Sequence, residues 1–230
     1  LRNSSAASDV YKRQLPDMKT SHLTPVKKRF FLKYLARFLL LFESVKPVGN
    51  FLDSERVVLV AAPHQSGKDE YLMVLIILAL DVDVCYLSAK WTMRKIPNPF
   101  SKSKDIDEQG INWPLGWLQE KVFRRFGAIP VDRKGNSGQY ASVIEELKNR
   151  DSFLLIVTPE GRFDATRFRT SFLYIAKELD AEVMPVQIDY ENKKLNILSS
   201  FNIDGDTDDV IKRLRLQFDG IKGKNSRFKA

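Results

Sequence analysis

The sequence reads as an α/β fold: one domain with a central, mostly parallel sheet flanked by helices and preceded by an amphipathic N-terminal helix. Three observations predict it. Apolar runs such as Val57–Ala62 and Ser152–Val157 read as buried strands. They alternate along the chain with longer stretches of helical period, the pattern of α/β architectures. At 230 residues the chain is long enough for one substantial core.

The elements follow in order. Residues 1–17 are polar, lack a hydrophobic signal core and precede Met18, so they read as a non-native leader with Met18 as the native start. His22 is given no role. Residues 18–48 form a basic segment with a helix over 27–44. There Lys27-Lys28-Arg29 leads into an aromatic and leucine-rich run. Arg29, Lys33 and Arg37 recur every four residues and share one helical face. This is the pattern of an interfacial helix, too short and too charged to span a bilayer. The competing reading is a helix packed on the domain's own core with its charges in water. Residues 49–230 form the main domain. Strands are expected near 57–62, 83–87, 127–131, 152–157, 183–188 and 194–198. Helices are expected near 69–80, 114–126, 138–149, 168–179 and 207–220. Leu72–Leu80 is too short to cross a membrane and reads as a core helix. No internal repeat is evident.

The net charge of +8 is uneven. Residues 23–48 carry six Lys/Arg against one Glu, and residues 212–230 carry seven against one Asp, while 49–211 is net acidic. Basic ends on an acidic body imply attraction to an anionic surface at those ends. Cys85 is the only cysteine, so no intrachain disulfide can form, and its apolar setting reads as a buried thiol. One Cys and two His argue against structural zinc.

Chemistry concentrates in a few blocks. In Ala62-Pro63-His64-Gln65-Ser66-Gly67-Lys68-Asp69, His64 falls in the loop after a strand and Asp69 near the start of the next helix. An alcohol is a poor nucleophile until a base takes its proton, and an imidazole titrating near neutrality suits that task. A carboxylate at the other ring nitrogen fixes the tautomer and stabilises the imidazolium. Alone, the spacing equally fits a surface His before a helix N-terminal Asp. A second block, Gly127-Ala128-Ile129-Pro130-Val131-Asp132-Arg133, is a short strand ending in a charged turn, with Arg133 an anion-binding candidate. In a third, the strand 152–157 runs into Thr158-Pro159-Glu160-Gly161-Arg162. Loops leaving the carboxyl ends of strands in open α/β sheets bind ligands. Arg162 offers a planar fork for phosphate, and Gly161 lets backbone approach a ligand. Glu160 would repel phosphate, so its expected task is to accept from a ligand hydroxyl or to hold an arginine. The alternative for each Arg is a solvated surface charge. A base, its carboxylate and a loop for a polar acceptor together point to acyl transfer onto a hydroxyl.

These blocks, in order and completed by Val183-Met184-Pro185-Val186, resemble the glycerolipid acyltransferase superfamily, whose best-known members are the 1-acylglycerol-3-phosphate acyltransferases. The resemblance spans roughly 57–190 and is nearest to a compact bacterial-type branch. That branch has Ala-Pro-His-x-Ser-x-x-Asp in the first block and a stretch like Arg169-Thr170-Ser171-Phe172-Leu173-Tyr174-Ile175-Ala176 after the Glu block. The resemblance implies that 49–230 is an acyltransferase domain. It implies direct transfer from acyl-CoA or acyl carrier protein to a lysophospholipid hydroxyl, with no covalent enzyme intermediate. His64 would be the base and Asp69 its orienting carboxylate. Arg133, Glu160, Gly161 and Arg162 would bind the acceptor. Backbone N–H groups near Ser66-Gly67 would meet the developing oxyanion. No metal or cofactor is implied, and a peripheral place on the cytoplasmic face of an anionic membrane is. The chain departs from the family where Arg162 follows Gly161 directly, without the usual Thr, leaving Arg162, Arg167 and Arg169 as candidates for the same task. Ser171 replaces a common Gly, and Gly67-Lys68 replaces Asn-Trp. These departures bear on the acceptor, so an amine-bearing lipid acceptor and a lipid-binding protein without strong catalysis are the alternatives.

Other constellations fail. Gly67-Lys68 is followed by Asp69, not Ser or Thr, so there is no nucleotide P-loop. No Gly-x-Ser-x-Gly elbow is present. Trp91, Trp113, Trp117 and the basic run 90–104 fit a lid over an acyl channel or a groove for CoA phosphates better than a nucleic-acid surface. Asp204, Asp206, Asp208 and Asp209 read as capping the last helix, not as a metal site.

Overall fold

The computed structural model describes residues 30–49, 54–80, 84–97, 110–131, 140–160 and 168–224. Residues 1–17, read as a leader, and the basic cluster 27–29 lie outside them. Seven strands form the main sheet: β1 (Lys46–Val48), β2 (Arg56–Ala62), β3 (Val84–Ala89), β6 (Ala128–Val131), β7 (Phe153–Val157), β8 (Glu182–Asp189) and β9 (Lys194–Ile197), with a separate hairpin of β4 (Lys95–Pro97) and β5 (Gly110–Asn112). The helices are α1 (Phe30–Phe42), α2 (Gly67–Leu80), α3 (Gly116–Arg125), α4 (Ala141–Lys148), α5 (Ser171–Glu178) and α6 (Thr207–Phe218).

The sheet order is β1-β9-β8-β2-β7-β3-β6. All pairings are parallel except β8 with β9, so the expected mostly parallel sheet is present. All six expected strands and all six expected helices form, with ends shifted by a few residues. The sequence reading missed β1 and the β4–β5 hairpin. Each of these strands has three residues, too few for a period to show, and Pro47 takes the edge position where its missing N–H costs little.

Strand alternation divides the core into two layers. Val57, Leu59 and Ala61 of β2 pack with Leu154 and Ile156 of β7 against α1 and α2, through Ala36, Leu40, Leu72 and Ile76. Val58, Val60 and Ala62 face the other way with Phe153, Leu155 and Val157, against Val143, Phe172, Ile175 and Leu214 of α4, α5 and α6. Because β2 is covered on both faces, its residues Val57–Ala62 are wholly buried, which explains a continuous apolar run without polar alternation. Cys85 is buried, as read from its setting. Gly127 joins α3 to β6 with φ +89°, and a Cβ there would strike the carbonyl of Val84, so only glycine fits.

The N-terminal helix packs on the domain's own core along one side. Ala36 and Leu40 are buried against α2, and the Arg37 Nε donates to the carbonyl of Ala79 at 3.2 Å near the end of α2. Arg37 therefore serves the fold as a helix C-terminal partner. On the other side Phe31, Tyr34, Leu35, Phe38 and Phe42 are exposed, with Phe38 and Phe42 edge to face at 5.0 Å. Among the described residues, no helix is long and apolar enough to cross a membrane.

Candidate active site

The sheet register decides what meets His64. Strand β2 lies between β7 and β8, with Val60 beside Val157 on one flank and Ala62 beside Gln187 on the other. His64 follows Val60 by four residues, Glu160 follows Val157 by three, and Tyr190 follows Gln187 by three. Three parallel strands therefore deliver three side chains to one edge, the carboxyl ends where α/β sheets bind ligands.

His64 lies in the loop after β2 and Asp69 in the first turn of α2, as the sequence implied. Both are buried, at 7 % and 1 % exposure. His64 Nδ1 is 3.7 Å from Asp69 Oδ2, and Nε2 is 3.6 Å from Oε1 of Glu70, whose side chain is largely exposed. The imidazole thus turns one nitrogen to a buried carboxylate and the other toward the open side.

Asp69 has a second task. Its Oδ2 accepts from the N–H groups of Gln65 at 2.7 Å and Ser66 at 2.8 Å, and its Oδ1 accepts from Ser66 Oγ at 3.0 Å and Tyr190 Oη at 2.6 Å. The Asp69 N–H returns a bond to the Ser66 carbonyl at 3.0 Å. Ser66-x-x-Asp69 is a capping pattern that ties off the start of α2. Two of the N–H groups near the turn expected to meet an oxyanion, those of Gln65 and Ser66, are thus engaged within the loop. The N–H groups of Gln65 and Ser66 point to Asp69, and that of His64 points to Glu160.

Glu160 is 1 % exposed, and its Oε1 accepts the His64 N–H at 3.1 Å. Its Oε2 is buried and accepts no hydrogen bond among the described residues. Burial pushes this carboxyl above the usual glutamate range, opposed in part by the hydrogen bonds from its own and the His64 backbone. Glu160 therefore links the two motif loops directly. Beside it the Arg169 N–H donates to the Pro159 carbonyl at 2.7 Å, while the Arg169 side chain is exposed. Arg133, Gly161, Arg162 and Arg167 lie outside the described residues. Among the described residues, no group of three or more His, Cys, Asp or Glu is placed to hold a metal ion. Asp206 caps α6 by accepting from the Asp208 N–H, as its sequence position implied.

With this geometry in place, a family model described as Acyltransferase matches residues 111–189. Over that span, about a third of the chain, the sequence is similar to the acyltransferase family. The match agrees with the resemblance drawn from the motif blocks and includes Glu160; it begins after the His64–Asp69 block. Among solved structures, the 1-acyl-sn-glycerophosphate (LPA) acyltransferase, PlsC, from Thermotoga maritima is similar at 20% identity and a TM-score of 0.48, covering 80% of this chain and 77% of that one. No curated protein matches.

Sequence reasoning missed three groups around the motif blocks. Ser66 was legible through the capping pattern. Glu70 was hidden because its closeness to Nε2 depends on how the loop folds back on α2. Tyr190 carried no local signal, since it reaches Asp69 across 121 positions of sequence.

Proposed function

We propose that this protein moves a fatty acyl group from acyl-CoA or acyl carrier protein to a hydroxyl of a lysophospholipid such as 1-acylglycerol-3-phosphate, with His64 as general base. One observation carries the reading: a buried imidazole has Nδ1 beside the buried Asp69 and Nε2 toward the open side. Nε2 takes the acceptor's hydroxyl proton, and the oxygen attacks the thioester carbonyl. As the tetrahedral intermediate collapses, the C–S bond breaks and the thiolate takes the proton back from His64. Asp69 stabilises the imidazolium in between. Catalytic hydrogen bonds are often long before substrate binds, and the 3.7 Å separation is of that kind.

Arg133 and Arg162 supply cations for the acceptor phosphate, and Gly161 allows close backbone approach. Glu160 shapes the same loop through its bond to the His64 N–H. The reaction needs no metal or cofactor, and nucleic acid has no part in it. The exposed aromatic side of α1 would rest in the headgroup region of an anionic membrane, at its cytoplasmic face. A second reading is favoured by Glu70: a carboxylate 3.6 Å from Nε2 attracts an amine-bearing lipid acceptor.

The test is thiol release from long-chain acyl-CoA with and without lysophosphatidic acid. Acceptor-dependent release is expected, and His64→Ala should lower it by about 10²–10⁴-fold while keeping the thermal melt. Undiminished release by His64→Ala refutes the base assignment. Release only with amine-bearing lysolipids selects the second reading. No release with any acceptor, from either donor, leaves a lipid-binding scaffold.

A further inference from the structure

Three donors to Asp69 come from its own loop, the N–H groups of Gln65 and Ser66 and the Ser66 hydroxyl. The fourth, Tyr190 Oη at 2.6 Å, comes from the end of β8. The short link between Gln65 and Asp69 fixes Asp69 relative to its loop, but a tertiary bond is needed to fix it relative to the sheet. Tyr190 supplies one. Its own backbone is anchored in turn, since its N–H donates to the Lys222 carbonyl at 3.0 Å in the segment after α6. That segment also touches the catalytic loop. Gly223 is buried, and a Cβ there would meet the amide of Gln65 and the ring of Pro63.

Resting on the acyl-transfer reading, we propose that Tyr190 is a positioning residue for the His64–Asp69 pair. Its hydroxyl holds Asp69 Oδ1, so that Oδ2 stays turned to His64 Nδ1, and the C-terminal segment 221–224 buttresses the arrangement. The Tyr190 hydroxyl stays protonated and remains a donor throughout the working range, because burial and the Asp69 carboxylate both push its pKa upward. The bond also draws charge from Asp69. Removing it leaves more negative charge facing Nδ1, which favours the imidazolium. Among the described residues, the other charged groups around this pair are Glu70 at Nε2, Glu160 at the His64 N–H, and Glu43 near Tyr190 with its ion-pair partner Lys68.

The experiment is Tyr190→Phe in the full chain, which keeps the ring and removes only the hydroxyl. Two readouts are taken: the pH profile of kcat/KM for acceptor-dependent thiol release, and the imidazole titration of His64 by NMR. The chain has two histidines, so His64→Ala assigns the signal. The acidic limb and the titration midpoint should both move upward by about half a pH unit, and kcat should fall roughly tenfold, the worth of one hydrogen bond to a charged group. The donor KM should stay unchanged. A purely structural role lowers the rate without moving either pH readout. An unmoved His64 titration overturns the proposal whatever the rate does. If the wild type releases no thiol, the acyl-transfer reading fails, and the titration still decides the role of Tyr190.

Discussion

Asp69→Asn separates the two tasks of the carboxylate. The side chain accepts four hydrogen bonds while 1 % exposed, so solvent cannot replace a lost partner. Asparagine keeps one oxygen, which can take both backbone N–H groups in the place of Oδ2. Its amide then faces Ser66 Oγ and Tyr190 Oη, two hydroxyls able to rotate and accept. What is lost is charge assistance on the backbone bonds and the reversal of two hydroxyls, a cost of about 2–3 kcal/mol. The fold survives a loss of that size if its stability is ordinary, about 5–15 kcal/mol. Catalysis fares worse, because no negative charge remains beside Nδ1. The corresponding change in a serine-protease triad lowers kcat by about 10⁴, and with a looser 3.7 Å pair a loss of about 10²-fold or more is expected here. Urea unfolding and thiol release on the same preparation measure the two effects together. A variant destabilised as stated but within about threefold of the wild-type rate would show that Asp69 is a helix cap alone and that His64 works without it.

Other perturbations test the surroundings. Glu160 has a folded pKa raised by burial, so the folded state binds its proton more tightly than the unfolded one. Its contribution to stability is fully present below the usual glutamate value and is lost as pH rises through the raised value. Urea midpoints of the wild type and Glu160→Gln across that range should therefore move in favour of the variant as pH rises, and a flat difference counts against a strained carboxylate. On α1, replacing exposed Phe31, Phe38 and Phe42 together with serine should leave the melting temperature nearly unchanged. It should reduce binding to vesicles of phosphatidylglycerol and phosphatidylcholine by roughly tenfold or more, given the worth of burying an aromatic side chain. Undiminished sedimentation with those vesicles would remove this helix from the membrane contact.

Much of the scaffold was legible because it rests on local patterns. Val57–Ala62 is apolar at every position since both faces of β2 are covered, and its loop and helix follow from Pro63, Gly67 and the apolar run after Asp69. The three-residue strands were not legible, because Lys46–Val48 and the β4–β5 pair are too short to carry a period and exist only through their partners. Arg37 shows the same limit. Helical spacing grouped it with the outward charges, yet packing of α1 on α2 turns its guanidinium to the Ala79 carbonyl.

By itself, the sequence determined the alternation of strands and helices, the position of His64 in a loop and Asp69 in the following helix turn, and the order of the motif blocks. These depend on residues a few positions apart, whose geometry the backbone period sets. Tertiary structure alone decided the company they keep. The parallel register of β7 and β8 on either side of β2 brings Glu160 to the His64 N–H and Tyr190 to Asp69 across 96 and 121 positions of sequence. Strand neighbours are selected by the packing of the whole core, a non-local choice that no local pattern records.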